Sequence, residues 1–172
     1  MSAEHDEMNQ AFSLAYEELR RLASTVRQSE QAQTLSPTAL VHEAWLKLAD
    51  SPPLADSPLH FKRIVARAMR QVLVDAARQR LAAKRGSGQA LVTFDEAFGV
   101  ADAGPQEMLA IDEALDELAK VSPRQAAMIE YRFFGGYDVA ETARLLEISE
   151  ATLLRDWRVA RAWLNHRLSQ PA

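Results

Sequence analysis

Cysteine is absent from the 172-residue chain, which removes disulfide scaffolds, thiolate zinc sites and cysteine nucleophiles together. The absence fits a reducing compartment. Glycine is scarce, at six residues, and neither a Walker-type glycine loop nor a G-x-S-x-G elbow occurs. No run approaches the roughly 18 to 20 apolar residues of a membrane span, and the first thirty residues have no apolar signal core. The expectation is a soluble, cytoplasmic protein. His42-Glu43 opens like the H-E-x-x-H of zinc proteases, but the closing position is Leu46, and His5, His60 and His166 have no partner spacing. No metal, no cofactor and no catalytic constellation is expected. What is present is an ordinary globular composition, 48% hydrophobic and 26% charged, long enough for one domain or two small ones.

The formal net charge is −4, which on its own argues against a nucleic-acid binder. Its distribution reverses that. Phe61 to Arg85 holds eight basic residues (Lys62, Arg63, Arg67, Arg70, Arg78, Arg80, Lys84 and Arg85) and one acid, Asp75, a net of +7. Asp95 to Glu150 carries thirteen acids against four bases, and Ala151 to Leu168 returns to +3 through Arg155, Arg158, Arg161 and Arg167 against Asp156. The plain alternative is a set of solvated helix faces.

Helical spacing dominates and no segment alternates as a strand, Val92-Thr93-Phe94 being too short to decide. Apolar residues at spacings of three to five predict a helix from about Glu7 to Gln31. Ser36-Pro37, Ser57-Pro58 and Ser122-Pro123 each offer a capping residue followed by proline at the first helical position. They predict helices through Leu48, to about Lys84, and through about Phe134. Pro105 begins a further helix carrying Met108, Ile111, Leu115 and Leu118. The reading is all-α: a helical domain at 1–85, a linker at 86–104, and a second helical domain at 105–172. A flexible linker suits a protein that reaches two separated sites on a partner.

The segment Val139 to Leu153 has the spacing of a helix-turn-helix. Small Ala143 stands where the two helices approach, Leu146 and Ile148 bracket the turn, and Ser149 caps a second helix whose inner face is Leu153, Trp157, Ala160 and Leu164. Such a helix enters the major groove with its N-terminal residues at base edges. Arg155 and Arg158, extended by Arg161, form an outward row whose forked guanidinium groups suit guanine O6 and N7 or a phosphate. An ordinary helical hairpin with a surface arginine row is the alternative. Glu147 departs from the pattern by standing where the turn often has glycine.

The basic stretch 61–85 interleaves cations with aliphatic residues, so one face packs while another tracks a phosphate backbone. The loop Ser51 to His60 precedes it and is placed to pocket an unstacked base, although it holds no aromatic residue before His60.

In order, Ser36-Pro37-Thr38-Ala39-Leu40-Val41-His42-Glu43-Ala44-Trp45-Leu46-Lys47-Leu48, the run Phe61 to Arg70, the linker and the terminal helix-turn-helix resemble the extracytoplasmic-function group of bacterial RNA polymerase sigma factors, over about Met8 to Leu168. The resemblance implies an alternative-type sigma factor that binds core RNA polymerase, opens the −10 element with its first domain and reads the −35 element as duplex with its second. It implies polymerase contacts at Thr38, Glu43, Trp45 and Lys47, although a tryptophan at the Trp45 position is more often core. It implies melted-strand contacts at Lys62, Arg63, Arg67 and Arg70, and backbone contacts at Arg78, Arg80, Lys84 and Arg85. Duplex-reading positions are Glu150, Thr152, Arg155 and Arg158, with Arg161 beside them. The other class left open is a stand-alone helix-turn-helix regulator that binds duplex DNA without polymerase.

Many members of the group carry two acids just before the apolar pair of the clamp-binding helix; here those positions are Thr38 and Ala39. Either this is simply a helix N-terminus, or Thr38, with Ser36 second, is phosphorylated to supply the missing charge, which a helix N-terminus stabilises. An anti-sigma factor or a Ser/Thr kinase is then a further partner. Whether the acidic second segment also covers the basic helix when the chain is free stays open at this level.

Overall fold

The computed structural model describes residues 58–83 and 104–170, together with helical positions at 10, 13, 16, 20, 39, 42–44, 46 and 47. The expectations at Ser36, Thr38, Trp45, Lys84, Arg85, the loop 51–57 and the linker 86–103, Val92-Thr93-Phe94 included, lie outside the described residues. Among the described residues every regular element is helical.

Helix α1 runs Pro58–Ala83, α2 Pro105–Val121, α3 Pro123–Ile129 and then directly into a π-helical turn at Glu130–Phe134, α4 Val139–Leu146, and α5 Glu150–Leu168. The proline starts at Pro58, Pro105 and Pro123 fall where the pattern places them, while that at Pro37 lies outside the described residues. Because α1 begins at Pro58, Leu59 and His60 belong to its first turn rather than to the preceding loop.

Ser122 is the exception in detail, since its side chain makes no capping hydrogen bond. Its backbone joins the two helices instead: Ser122 N–H donates to the Leu118 carbonyl (2.7 Å) and the Ser122 carbonyl accepts from Ala126 N–H (3.1 Å). At φ −146° and ψ 89° the residue is committed to closing α2 while proline opens α3. Glu107 caps α2 from inside, its carboxylate accepting from Gly104 N–H at 3.0 Å.

The π-helical turn has a local cause. Gly135 N–H bonds the Glu130 carbonyl five residues back (3.1 Å), and Tyr137 N–H bonds Tyr131 (3.2 Å), so the helix widens before it ends. A Cβ at Gly135 would lie 2.8 Å from the Tyr137 ring and collide with the Tyr131 carbonyl, so only glycine permits this close approach. Gly136, at φ 65°, turns the chain into α4.

One apolar cluster spans both halves of the sequence. Val65, Met69 and Val72 of α1 share it with Ile111, Leu115 and Leu118 of α2, Met128 and Phe134 at α3, and Leu153, Trp157 and Leu164 of α5. The most extensive contact between elements is α1 against α2. Each fully buried aliphatic side chain contributes roughly 1.5–3 kcal/mol of transfer free energy, so α1 is held to α2–α5 by several such terms. A smaller cluster of Ala66, Tyr131, Tyr137 and Leu145 ties α1 to the start and end of α4.

Candidate nucleic-acid interface

Two basic faces were candidates for nucleic acid, and the fold treats them differently. The first is on α5. Asp138 opens α4 with a reciprocal cap: its carboxylate accepts from Glu141 N–H (2.8 Å) while Asp138 N–H donates to Glu141 Oε2 (3.2 Å). Helix α4 closes through a Schellman pair, Ile148 N–H to Ala143 (3.0 Å) and Glu147 N–H to Arg144 (3.2 Å). That closure puts Glu147 in the left-handed region, at φ 57° and ψ 41°. The turn therefore has the glycine geometry without the glycine, at a strain of about 1 kcal/mol.

Ser149 then starts α5. Its Oγ accepts from Thr152 N–H (3.2 Å) and donates to Thr152 Oγ1 (2.9 Å), as the capping pattern predicts. Leu153, Trp157, Ala160 and Leu164 are all buried. The Arg132 guanidinium lies 4.3 Å from the centre of the Trp157 ring, and Arg124 grips the buried Asp156 carboxylate at 2.6 Å. At the far end Arg167 holds Glu117 through two hydrogen bonds of 2.7 and 2.8 Å. The Arg167 hydrogen bond pulls the Glu117 carboxyl below its ordinary pKa. Two of the six charges on α5, Asp156 and Arg167, are thus spent on anchoring the helix. Arg155 and Arg158 remain exposed with no ion pair among the described residues, and Glu150 is exposed beside them. Thr152 and Arg161 are half-buried.

The second face is on α1, and here the acidic half of the chain lies across it. Lys62 Nζ reaches Glu141 at 3.4 Å and sits 5.3 Å from the centre of the Tyr137 ring. The Tyr137 hydroxyl donates to the Lys62 carbonyl (3.1 Å), and the Arg63 guanidinium donates to the Leu145 carbonyl. Arg70 is the most heavily engaged. Its Nε bonds Asp112 (2.7 Å), one Nη bonds Glu130 (2.9 Å), and the other bonds both Asp116 (2.7 Å) and the Asp112 carbonyl (3.0 Å). Burial works to lower the Arg70 pKa, but the hydrogen bonds it donates to Glu130 and Asp112 outweigh that, and the guanidinium is held more firmly charged than usual. Arg70, Asp112 and Glu130 are each only about 15–16% exposed, so these pairs are far less screened than surface ones.

Further along α1, Arg78 is exposed and spans Asp75 (3.5 Å) and Asp112 (3.9 Å), while Lys47 pairs with Asp75 at 2.9 Å. Arg67 is exposed and Arg80 half-buried. Between α1 and α2–α3 lies an open cleft of about 630 Å³, with Arg67, Arg70 and Arg78 on one side and Asp112, Asp116 and Glu130 on the other. Of the polymerase-facing candidates, Glu43 and Lys47 are described and exposed.

Sequence patterning signalled the acidic block but not its register against α1. Asp112 and Asp116 recur at helical spacing and so share a face, which was a usable signal. The acceptors supplied by the Leu145 and Asp112 backbone carbonyls carry no side-chain signature at all. Among the described residues no group of His, Asp and Glu is arranged to hold a metal ion, and no helix is long and apolar enough to cross a membrane.

The family model for ECF sigma factors matches residues 2–170. No curated protein and no solved structure gives a match.

Proposed function

The chain belongs to the ECF sigma factor family, and on that premise we propose that its two basic faces divide promoter recognition between them. Members of this family are transcription initiation factors rather than enzymes: they bind core RNA polymerase and direct it to promoter DNA, often under the control of an anti-sigma factor. For this chain, α5 reads the −35 element as duplex. Glu150, Thr152, Arg155 and Arg158 lie at the groove-entering end, and Arg161 lies further along. Lys62, Arg63, Arg67 and Arg70 meet the melted −10 strand, with Arg78, Arg80, Lys84 and Arg85 on its backbone. Glu43 and Lys47, with Trp45 and Thr38, face the polymerase clamp.

The observation that carries the duplex reading is the pairing of a fixed helix with free arginines. Ser149 caps α5, Arg124–Asp156 and Arg167–Glu117 pin its flank and end, and Arg155 and Arg158 are left to solvent. A rigid scaffold with unpaired forked donors is what base-edge recognition requires.

Thr38, with Ser36 as the second choice, is the proposed phosphorylation site of a Ser/Thr kinase. A phosphate there adds about −1.5 to −2 charge where the chain lacks the usual acids of the clamp-binding helix. A transcription assay comparing Thr38→Glu with Thr38→Ala tests it: Glu should activate and Ala should not, and equal full activity would remove the switch.

The whole reading is tested by reconstitution with core RNA polymerase and mapping of transcription start sites. A discrete set of starts sharing two upstream elements is expected, with promoter binding that weakens by about 0.9 in log–log slope for each neutralised phosphate. Duplex binding alone, with no polymerase association, would favour a stand-alone regulator.

A further inference from the structure

We propose that the packing of α1 against α2–α4 is a self-inhibited state of this sigma factor, in which Arg70 is the latch and the acids of α2 and the π-helical turn hold the strand-binding face shut. The proposal rests on the strand-binding role assigned to α1 above and adds its regulation.

The charge balance of the cleft gives the reason. Its lining includes four cations, Lys47, Arg67, Arg70 and Arg78, and four anions, Asp75, Asp112, Asp116 and Glu130. Closed, the cleft is neutral, and Arg70 itself faces three carboxylates. A phosphate approaching that face meets no net attraction. Three of the four anions come from α2 and the π-helical turn that follows α3, so drawing α2–α4 away leaves +3 on the α1 side. The same movement frees Lys62 from Glu141 and Arg63 from the Leu145 carbonyl. Opening therefore converts a neutral cleft into a cationic face at the time the strand needs one.

The closure is specific as well as electrostatic. Arg70 uses its Nε and both Nη groups on Asp112, Asp116 and Glu130. Glu130 is the first residue of the π-helical turn, which Gly135 makes possible. Tyr137, at the other end of that turn, closes on the Lys62 carbonyl. Helix α5 takes no part in these contacts, and Arg155 and Arg158 stay open while α1 is covered. The free protein should accordingly recognise duplex weakly through α5 and reject single strands until polymerase separates its two halves.

The test uses the full chain carrying Asp112→Asn, Asp116→Asn and Glu130→Gln together, and a mixed-sequence single-stranded 20-mer as probe, read by fluorescence anisotropy across salt. The variant should bind at least about tenfold more tightly than the parent at low salt. Its log–log salt slope should steepen by up to about 1.4, the value on a single strand for the two cations, Arg70 and Arg78, that these acids hold. Affinity and slope equal to the parent, with helicity by circular dichroism intact, would overturn the latch.

A second variant covers the case in which the first fails to fold. Gln71→Cys and Ala119→Cys place the only two thiols of the chain on opposite walls of the cleft, where a thiol-cleavable bismaleimide can bridge them. Bridged protein should lose polymerase-dependent initiation and regain it on cleavage; full initiation while bridged would overturn the proposal. If the unbridged protein initiates nowhere while the carboxamide variant still gains single-strand binding, the latch stands and the sigma reading falls.

Discussion

Helix α1 carries Lys62, Arg63 and Arg70 into contact with Glu141, Leu145, Asp112, Asp116 and Glu130, whereas α5 leaves Arg155 and Arg158 in solvent. By charge count α1 is the more basic of the two, yet α5 is the more available. The difference lies in what each helix anchors with. On α5 the residues used for packing, Asp156 and Arg167, are distinct from the exposed row, so the helix is fixed without consuming Arg155 or Arg158. On α1 three of the proposed strand-binding residues, Lys62, Arg63 and Arg70, are also polar anchors. Charge that serves both purposes can serve only one at a time, which is the physical content of a switch.

The largest effect that would break this contrast is at Arg70. Arg70→Ala leaves Asp112 and Glu130 partly buried without their partner, and the stability of the whole chain should fall by about 2–4 kcal/mol, at or below the range for disrupting a buried pair. Urea unfolding measures it, and a loss below about 0.5 kcal/mol would place Arg70 among ordinary surface ion pairs. The opposite behaviour is expected on α5. Arg155→Ala and Arg158→Ala should change stability by less than about 0.5 kcal/mol, yet cost about 1–3 kcal/mol of discrimination at particular −35 base pairs. Uniform loss across all sequences in a binding-site selection would instead make both arginines phosphate contacts.

A smaller effect sharpens the picture of how α5 is aimed. Glu147→Gly relieves the left-handed strain at φ 57° and should stabilise the protein by up to about 1 kcal/mol, the strain relief being partly offset by the entropy of glycine. Thermal unfolding reads it. The smallest is at the end of α5. The folded pKa of Glu117 is depressed by Arg167, so its contribution is present above the ordinary carboxylate range and is lost as pH falls through the lowered value. The melting temperature of Glu117→Gln should fall slightly below that of the parent near neutrality and converge on it only at pH below the ordinary carboxylate range.

How far the sequence carried these conclusions depends on the kind of signal. Periodicity and proline placed the starts of α1, α2 and α3, and the inner face of α5 could be read residue by residue because packing follows the helical repeat. The Ser149 cap was legible for the same local reason. Ser122 was not: the residue sequence is the same as at a capping serine, but two helices compete for one residue's backbone. The π-helical turn depends on Tyr137 folding back over Gly135, a contact that no periodicity announces. The contacts of α1 were legible only as complementary charge. Which arginine meets which carboxylate is set by the shared core, and the carbonyls of Leu145 and Asp112 accept through backbone that every sequence has.

The division of labour between α1 and α5 is tested most directly by permanganate probing of a mapped promoter with reconstituted polymerase held near the parent's half-saturating concentration, comparing Arg67→Ala with Arg158→Ala. Arg67 is exposed on α1 and outside the Arg70 contacts, so its loss reports on strand engagement rather than on closure. The prediction is that Arg67→Ala polymerase occupies the promoter but leaves its −10 thymines less reactive, while Arg158→Ala lowers occupancy and leaves reactivity per bound complex unchanged. Normal melting with Arg67→Ala, together with melting lost per bound complex with Arg158→Ala, would contradict it.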